Sequence, residues 1–434
     1  MAAARIHVEI PYGSSSVAAE VPEGQILFRG ELEELPAVED FEAALLTQLD
    51  DPIGAPPLRE LAAGRTKVLV LVEDATRHTP VDRILPVLFD YLNGAGVSDD
   101  QIEILTAPGT HRVMTDAEVR EKVGESARGR VSVAQHDCNV VASMTDLEPV
   151  CAGGVEIPVQ VNSKILEADL LIGLGNILPH CGAGFSGGAK ILQPGVCGIA
   201  TTAATHIAAT LLPEIPLGDM DSPVRVGIEE VARQAGLDFI INVVRDPQGR
   251  ILTVVAGDFV AAHRRGVEVS RRAYAVHAPE PADIVIVSSF PADMDWWQAE
   301  KGLIAASFAV KTGGVIVLAT PCPEGLEHNH PLLRDWLRLS FAEGCAKVAT
   351  TDPCDVSADL IAADLGVDNA KIREKATILV VTDGLSDDDI ALLGYQRMPD
   401  LQTAVDRALE MVPGGTVGVL PYGGDCLPLI GLAQ

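Results

Sequence analysis

Short, near-continuously apolar runs that end in loops of glycine, proline and polar residues recur along this chain. Lys67-Val-Leu-Val-Leu-Val72 leads into Glu73-Asp-Ala-Thr-Arg-His-Thr-Pro80, and Ile102-Glu-Ile-Leu-Thr106 leads into Ala107-Pro-Gly-Thr-His111. Asp169-Leu-Leu-Ile-Gly173 leads into a longer loop that begins at His180. A half-exposed strand alternates apolar and polar residues, whereas a strand covered on both faces is apolar throughout and rich in β-branched side chains. Helix-like stretches separate the runs, as parallel pairing requires. The pattern predicts an α/β fold with mainly parallel sheets. A second set of runs begins near Asp283, with Ile284–Ser288, Val315–Ala319 and Ile378–Val381. Ala273–Pro281 reads as the connection between the sets. The expected organisation is an N-terminal domain over 1–277 and a C-terminal domain over 278–415. Residues 416–434 are expected to return to the first domain, and the site is expected in the cleft between the two.

With 434 residues the chain can bury two or more cores. Hydrophobic residues make up 47% and aromatics only 4%, so those cores are built from Ala, Val, Leu and Ile. No apolar run is long enough to span a bilayer, and the opening MAAARIHVEI lacks a signal core. Eight scattered cysteines without a C-x-x-C pair suggest neither a zinc knuckle nor a disulfide scaffold. Reduced thiols and a cytoplasmic protein are expected. A net charge of −29 argues against nucleic acid or an anionic membrane as partners. An anionic small-molecule substrate would then need a local positive patch, for which Arg77, Lys190 and Lys301 are the candidates.

The loop from His180 to His206 is the richest in chemistry. It joins two histidines and one lysine to a Gly/Ser-rich turn containing Gly187 and Gly188. Such turns let a ligand approach the backbone, and their N–H groups can cradle an anion. Lys190 is flanked by Ala189 and Ile191, so a Walker-type phosphate loop is a poor reading, and GLGNIL at 173–178 is not a full dinucleotide fingerprint. Asp74 could simply cap a helix, with Arg77 as its ion-pair partner. Lys301, beside Glu300, could lie on a solvated helix face. His136, His328 and His330 suggest no role. What weighs against these plain readings is convergence. Asp74, Arg77, His111, His180 and Lys190 all fall just beyond apolar runs, where open α/β sheets bind ligands.

The motifs EDATRHTP (73–80), APGTH (107–111), PHCGAGFSGGAK (179–190), His206 and WWQAEKG (296–302) together resemble the lactate racemase family, over most of the chain. The resemblance implies a nickel-pincer nucleotide cofactor, a pyridinium mononucleotide bearing a thioamide and a thiocarboxylate. It implies that Lys190 tethers this group covalently and that His206 ligates the nickel, a square-planar arrangement suited to Ni(II). It places His111 and His180 as catalytic bases, and Asp74, Arg77, Gly187 and Gly188 beside the nucleotide and substrate. Gln298 and Lys301 would close over the site from the second domain, and the enzymes that make the cofactor would be partners. The implied activity is inversion of the α-carbon of a 2-hydroxy acid. The α-hydrogen of such an acid is weakly acidic, so oxidation by hydride transfer, with a histidine taking the hydroxyl proton, is the accessible route. Trp296, Trp297 and Cys181 depart from the lactate enzymes and leave the side chain of the substrate open. Two other classes stay in view: a pyridoxal-phosphate racemase using Lys190, and a non-catalytic nucleotide-binding or cofactor-carrier protein.

Overall fold

The structure is a computed structural model that describes residues 4–327 and 330–431; His328 lies outside the described residues. The chain divides into two units. One comprises Leu35–Arg271 with Asp352–Val356, the other Met1–Glu34, Arg272–Thr351 and Ser357–Gln434.

The first unit is built on a six-stranded sheet. Its strands run in the order Ile251–Gly257, Phe239–Arg245, Leu170–Asn176, Val68–Glu73, Ile102–Ala107 and Ser132–Gln135. All neighbours are parallel except the edge strand Ile251–Gly257. Every residue of Val68–Glu73 is buried, as its unbroken apolar sequence demands. Val68, Val70 and Val72 face one core with Leu85, Leu88 and Phe89 of the helix Val81–Gly94. Leu69 and Leu71 face the opposite core, which includes Ala189, Ile191 and Leu192. Burying a Leu or Ile side chain is worth about 1.5–3 kcal/mol. The apolar neighbours of Lys190 therefore anchor its loop onto the sheet.

The second unit carries its own six-stranded sheet, parallel throughout. The order is Gln396–Arg397, Thr377–Val381, Val310–Ala319, Ala282–Ser288, Val417–Leu420 and Ile26–Arg29. The helix Trp296–Ala309 packs on the two strands Ala282–Ser288 and Val310–Ala319. On one face Ile284, Ile286, Val315 and Val317 meet Val8, Ile10 and Val21 of the N-terminal hairpin.

This arrangement corrects the expected domain limits. Residues 416–434 do not return to the first unit, because Val417–Leu420 fills the slot between Ala282–Ser288 and Ile26–Arg29. Residues 4–34 also belong with the second sheet. Their hairpin buries Val8, Ile10, Ala19 and Val21 there, a contact set by pairing between distant segments. Ala273–Pro281 is more than a connection, since Ala275–Ala278 pairs in parallel with Leu427–Ile430.

Candidate active site

Three loops of the first unit leave the carboxyl ends of adjacent strands and carry the predicted residues. In the loop after Val68–Glu73, Asp74 is buried at 4% exposure. One of its oxygens accepts from the Thr76 hydroxyl at 2.6 Å and the other meets Nδ1 of His111 at 2.8 Å. Burial alone pushes the Asp74 carboxyl upward. The hydrogen bond and charge of His111, the Thr76 hydroxyl and the charge of Arg77 outweigh that, and hold it below the usual carboxylate range. An ionised Asp74 accepts the Nδ1 proton of His111 and leaves Nε2 of the ring for chemistry. Arg77 is half-buried and forms no ion pair among the described residues. Asp74 is thus the carboxylate partner of His111, and Arg77 adds its charge and a backbone N–H that donates to the Asp74 carbonyl at 3.2 Å.

Two buried ionisable residues that the sequence did not flag hold this loop in shape. Lys122 donates to the carbonyls of Arg77 at 2.6 Å and Thr79 at 3.2 Å. Glu73 accepts from the Thr79 hydroxyl and, at 3.3 Å, from the backbone N–H of Asn176. Burial pushes the Glu73 carboxyl up and the Lys122 ammonium down. A reader of the sequence sees Lys122 only as one charge in a polar helix.

His180 and Lys190 meet directly, with Nε2 and Nζ 2.8 Å apart. The backbone N–H of Gly182 donates to Nδ1 of His180 at 3.1 Å. His180, Lys190 and His206 line one pocket, together with Gln193, Thr205 and Ile228. His206 rides on the helix Ile199–Thr210. After Ile199 it is the one residue of that helix that is not buried.

The glycine turn is set from behind. Gly187 and Gly188 have φ of 74° and 59°, in the left-handed region. A Cβ at Gly188 would lie 2.7 Å from both the Arg225 guanidinium and the His263 ring. Arg225 is fully buried, donates through Nε to Glu229 at 2.9 Å, and donates through Nη2 to Nδ1 of His263 at 2.9 Å. His263, held neutral by burial and by the neighbouring Arg225 charge, passes its Nε2 proton to the Ser186 carbonyl at 2.7 Å. Burial brings Arg225 down to about 10. The N–H of Gly188 donates to Asn242 at 2.8 Å, so this group is occupied by the protein and does not cradle an anion as expected. Only the two successive glycines hinted at this buried support.

In the second unit Asp295 caps the helix Trp296–Ala309 by accepting from the Gln298 N–H at 2.8 Å. Lys301 donates to the Gln298 side-chain oxygen at 2.7 Å, so the two predicted residues are placed side by side. Glu300 turns inward, where burial and the charges of Asp368 and Asp364 raise its carboxyl well above the usual range. Trp296 is wholly buried, which removes it as a substrate contact; Trp297 is half-buried. Cys181 is half-buried beside His180. His136 is structural: Nε2 meets the Cys197 carbonyl at 3.0 Å and Nδ1 meets Asn162 at 3.2 Å.

A parallel α/β scaffold that gathers a lysine and paired histidines at its strand ends is that of an enzyme, and comparison with known proteins gives its class as an isomerase of the racemase type. The chain belongs to the lactate racemase family. Residues 12–216 match the lactate racemase N-terminal domain and residues 277–424 the C-terminal domain. It is 33% identical over 325 residues to the lactate racemase of Thermoanaerobacterium thermosaccharolyticum, covering 74% of this chain and 75% of that protein. It is 32% identical over 333 residues to that of Lactiplantibacillus plantarum, covering 74% and 76%. The structure of the T. thermosaccharolyticum apoprotein superposes with a TM-score of 0.87 at 29% identity, over 98% of this chain and 100% of that one. A Thermotoga maritima protein, 21% identical over 92% of this chain and 100% of its own, shares the fold with a TM-score of 0.67. No described helix is long and apolar enough to cross a membrane.

Proposed function

We propose that the protein inverts the α-carbon of a 2-hydroxy acid, using a nickel-pincer nucleotide tethered through Lys190. The observation that carries this reading is the pocket shared by His180, Lys190 and His206, in which the Lys190 amine lies 2.8 Å from a ring nitrogen of His180. Such an amine can form a covalent link, and an imidazole on the same wall is a soft enough donor for nickel. The residues present therefore fit the group. Lys190 would hold it and His206 would ligate the metal. When bound, the group supplies reversible uptake of a hydride from the substrate carbon.

The protein supplies the rest. His111, braced at Nδ1 by Asp74, presents Nε2 as a base for the substrate hydroxyl proton. His180 serves the other enantiomer from the opposite side. Arg77 takes the carboxylate bidentately and Lys301, steadied by Gln298, adds a point charge. The test is intact mass and metal analysis of protein produced together with the cofactor-making enzymes, followed by a racemisation assay on 2-hydroxy acids. A nucleotide-sized adduct on Lys190 with one nickel is expected. Unmodified mass and no racemisation would overturn the reading.

A further inference from the structure

The helix Trp296–Ala309 is buried almost all round. Of its residues only Trp297, Gln298, Lys301 and Phe308 are not buried, and the first three cluster at its N-terminal end. That end follows the strand Ala282–Ser288 at the carboxyl edge of the sheet, where α/β proteins receive ligands. An otherwise sealed helix thus opens with an indole, an amide and an ammonium.

The indole is fixed in place. The His330 ring stacks on Trp297 with centroids 4.0 Å apart and planes 8° from parallel. Nδ1 of His330 meets Asp359 at 2.7 Å, and the His330 N–H donates to Glu327 at 2.6 Å. Asp359, at a φ of 49°, caps the helix Leu360–Lys375. A non-glycine residue in the left-handed region is uncommon and is held by its surroundings. His330, itself held by Glu327 and Asp359, therefore backs the flat ring of Trp297, and a prefixed surface loses little freedom when a ligand settles on it.

Spacing defines the ligand. Trp297 and Lys301 are four residues apart on a helix, so their Cβ atoms are about 6 Å apart. A carboxylate held by Lys301 places the substituent of the adjacent α-carbon within reach of the indole. We propose that Trp297, backed by His330 and Asp359, determines specificity, and that the substrate is a 2-hydroxy acid with a flat, aromatic side chain rather than lactate. This rests on the functional reading above.

The test compares 2-hydroxy-3-phenylpropanoate with lactate on the cofactor-loaded enzyme. The wild type should favour the phenyl acid in kcat/KM by about tenfold or more, the discrimination an apolar contact of this size provides. W297A should lower that ratio by about the same factor. H330Q should move it in the same direction by less, because the ring remains but loses its backing. A wild-type preference for lactate, or an unchanged ratio in W297A, overturns the proposal. A second readout needs no cofactor: the chain has three tryptophans, and Trp296 and Trp336 are fully buried. Saturable change in tryptophan emission with the phenyl acid, abolished in W297F, supports the proposal; no change, or a change that persists in W297F, overturns it. If loaded enzyme racemises neither acid the functional reading fails, and the emission titration still decides the role of Trp297.

Discussion

Two alanine-rich helices, one in each unit, are buried along most of their length and each opens at one place. Ile199–Thr210 opens at His206, on the wall of the pocket that holds Lys190. Trp296–Ala309 opens at Trp297, Gln298 and Lys301. The first opening offers one imidazole, and the neighbouring groups of the pocket come from the loop before the helix. The second offers three different side chains within a turn and a half, with the aromatic one stacked from outside the helix. The difference fits a division of labour, in which the first helix serves the cofactor and the second serves the substrate. A buried helix gains nothing from a polar side chain unless that side chain has work to do. His206 and Lys301 stand out for that reason more than for their sequence neighbours.

The sharpest way to break this division is to separate loading from turnover. Lys190→Ala is expected to abolish the covalent adduct altogether, read by intact mass. His206→Ala should keep the organic adduct and lose the nickel, read by metal analysis. Lys301→Met should load normally and raise KM by about tenfold or more, the value of a charge-assisted hydrogen bond. Loss of adduct in Lys301→Met, or stoichiometric nickel in His206→Ala, would erase the distinction between the helices.

The next effect is on stability. Arg225 and Glu229 form a buried ion pair at 0% and 8% side-chain exposure beneath the glycine turn. Glu229 also pairs with Arg264 at 2.8 Å, so losing Arg225 should cost less than a fully stranded buried charge does, which is about 3–5 kcal/mol. Arg225→Met should lower the midpoint of denaturant unfolding accordingly and reduce the adduct yield. Arg225→Lys should recover part of the stability and less of the yield, because one ammonium cannot serve both Glu229 and His263. The pair behind the second opening, His330 and Asp359, is more exposed at 16% and 13%, so substitutions around Trp297 should be milder.

Much of this was legible before the structure. The apolar runs Val68–Val72, Ile102–Thr106 and Ile284–Ser288 are interior parallel strands, because nothing but a doubly covered strand tolerates such sequences. The motif residues Asp74, His111 and His180 lie just past strand ends as expected, whereas Lys190 sits further along the loop that follows Leu170–Asn176. What was hidden depends on pairing across the chain. The placement of Ile26–Arg29 beside Val417–Leu420 joins segments nearly 400 residues apart, and no local pattern encodes it. The partners Arg225, His263, Lys122 and Asn242 were equally invisible, since each looks like an ordinary polar residue until the backbone carbonyl or N–H it serves is in place. Trp296 and Trp297 are adjacent in sequence, and only the helix phase sends one into the core and leaves the other half-exposed.

The two histidines give a finer comparison. His111→Ala and His180→Ala should each leave the adduct intact and cut racemisation in both directions by at least about 10²-fold, the usual worth of a general base. Full activity in either variant, measured with each enantiomer as substrate, would refute a mechanism with two bases.

The smallest expected effect concerns the carboxylate that distinguishes them. His111 leans on Asp74, whereas His180 leans on Lys190 and a backbone N–H. Asp74→Asn removes the carboxylate that accepts the Nδ1 proton of His111, so the ring is less firmly oriented and racemisation should fall by about tenfold, less than in His111→Ala. Stability follows the opposite group of the same pair. The Asp74 carboxyl is held below its ordinary value in the folded protein. The stabilisation it contributes is therefore present above the unfolded carboxylate range and is lost as pH falls through the lowered value. Unfolding midpoints of wild type and Asp74→Asn should differ near neutrality and converge in acid. A constant difference at all pH values would mean that Asp74 acts by shape alone, and the contrast between the two histidines would then have to come from His180.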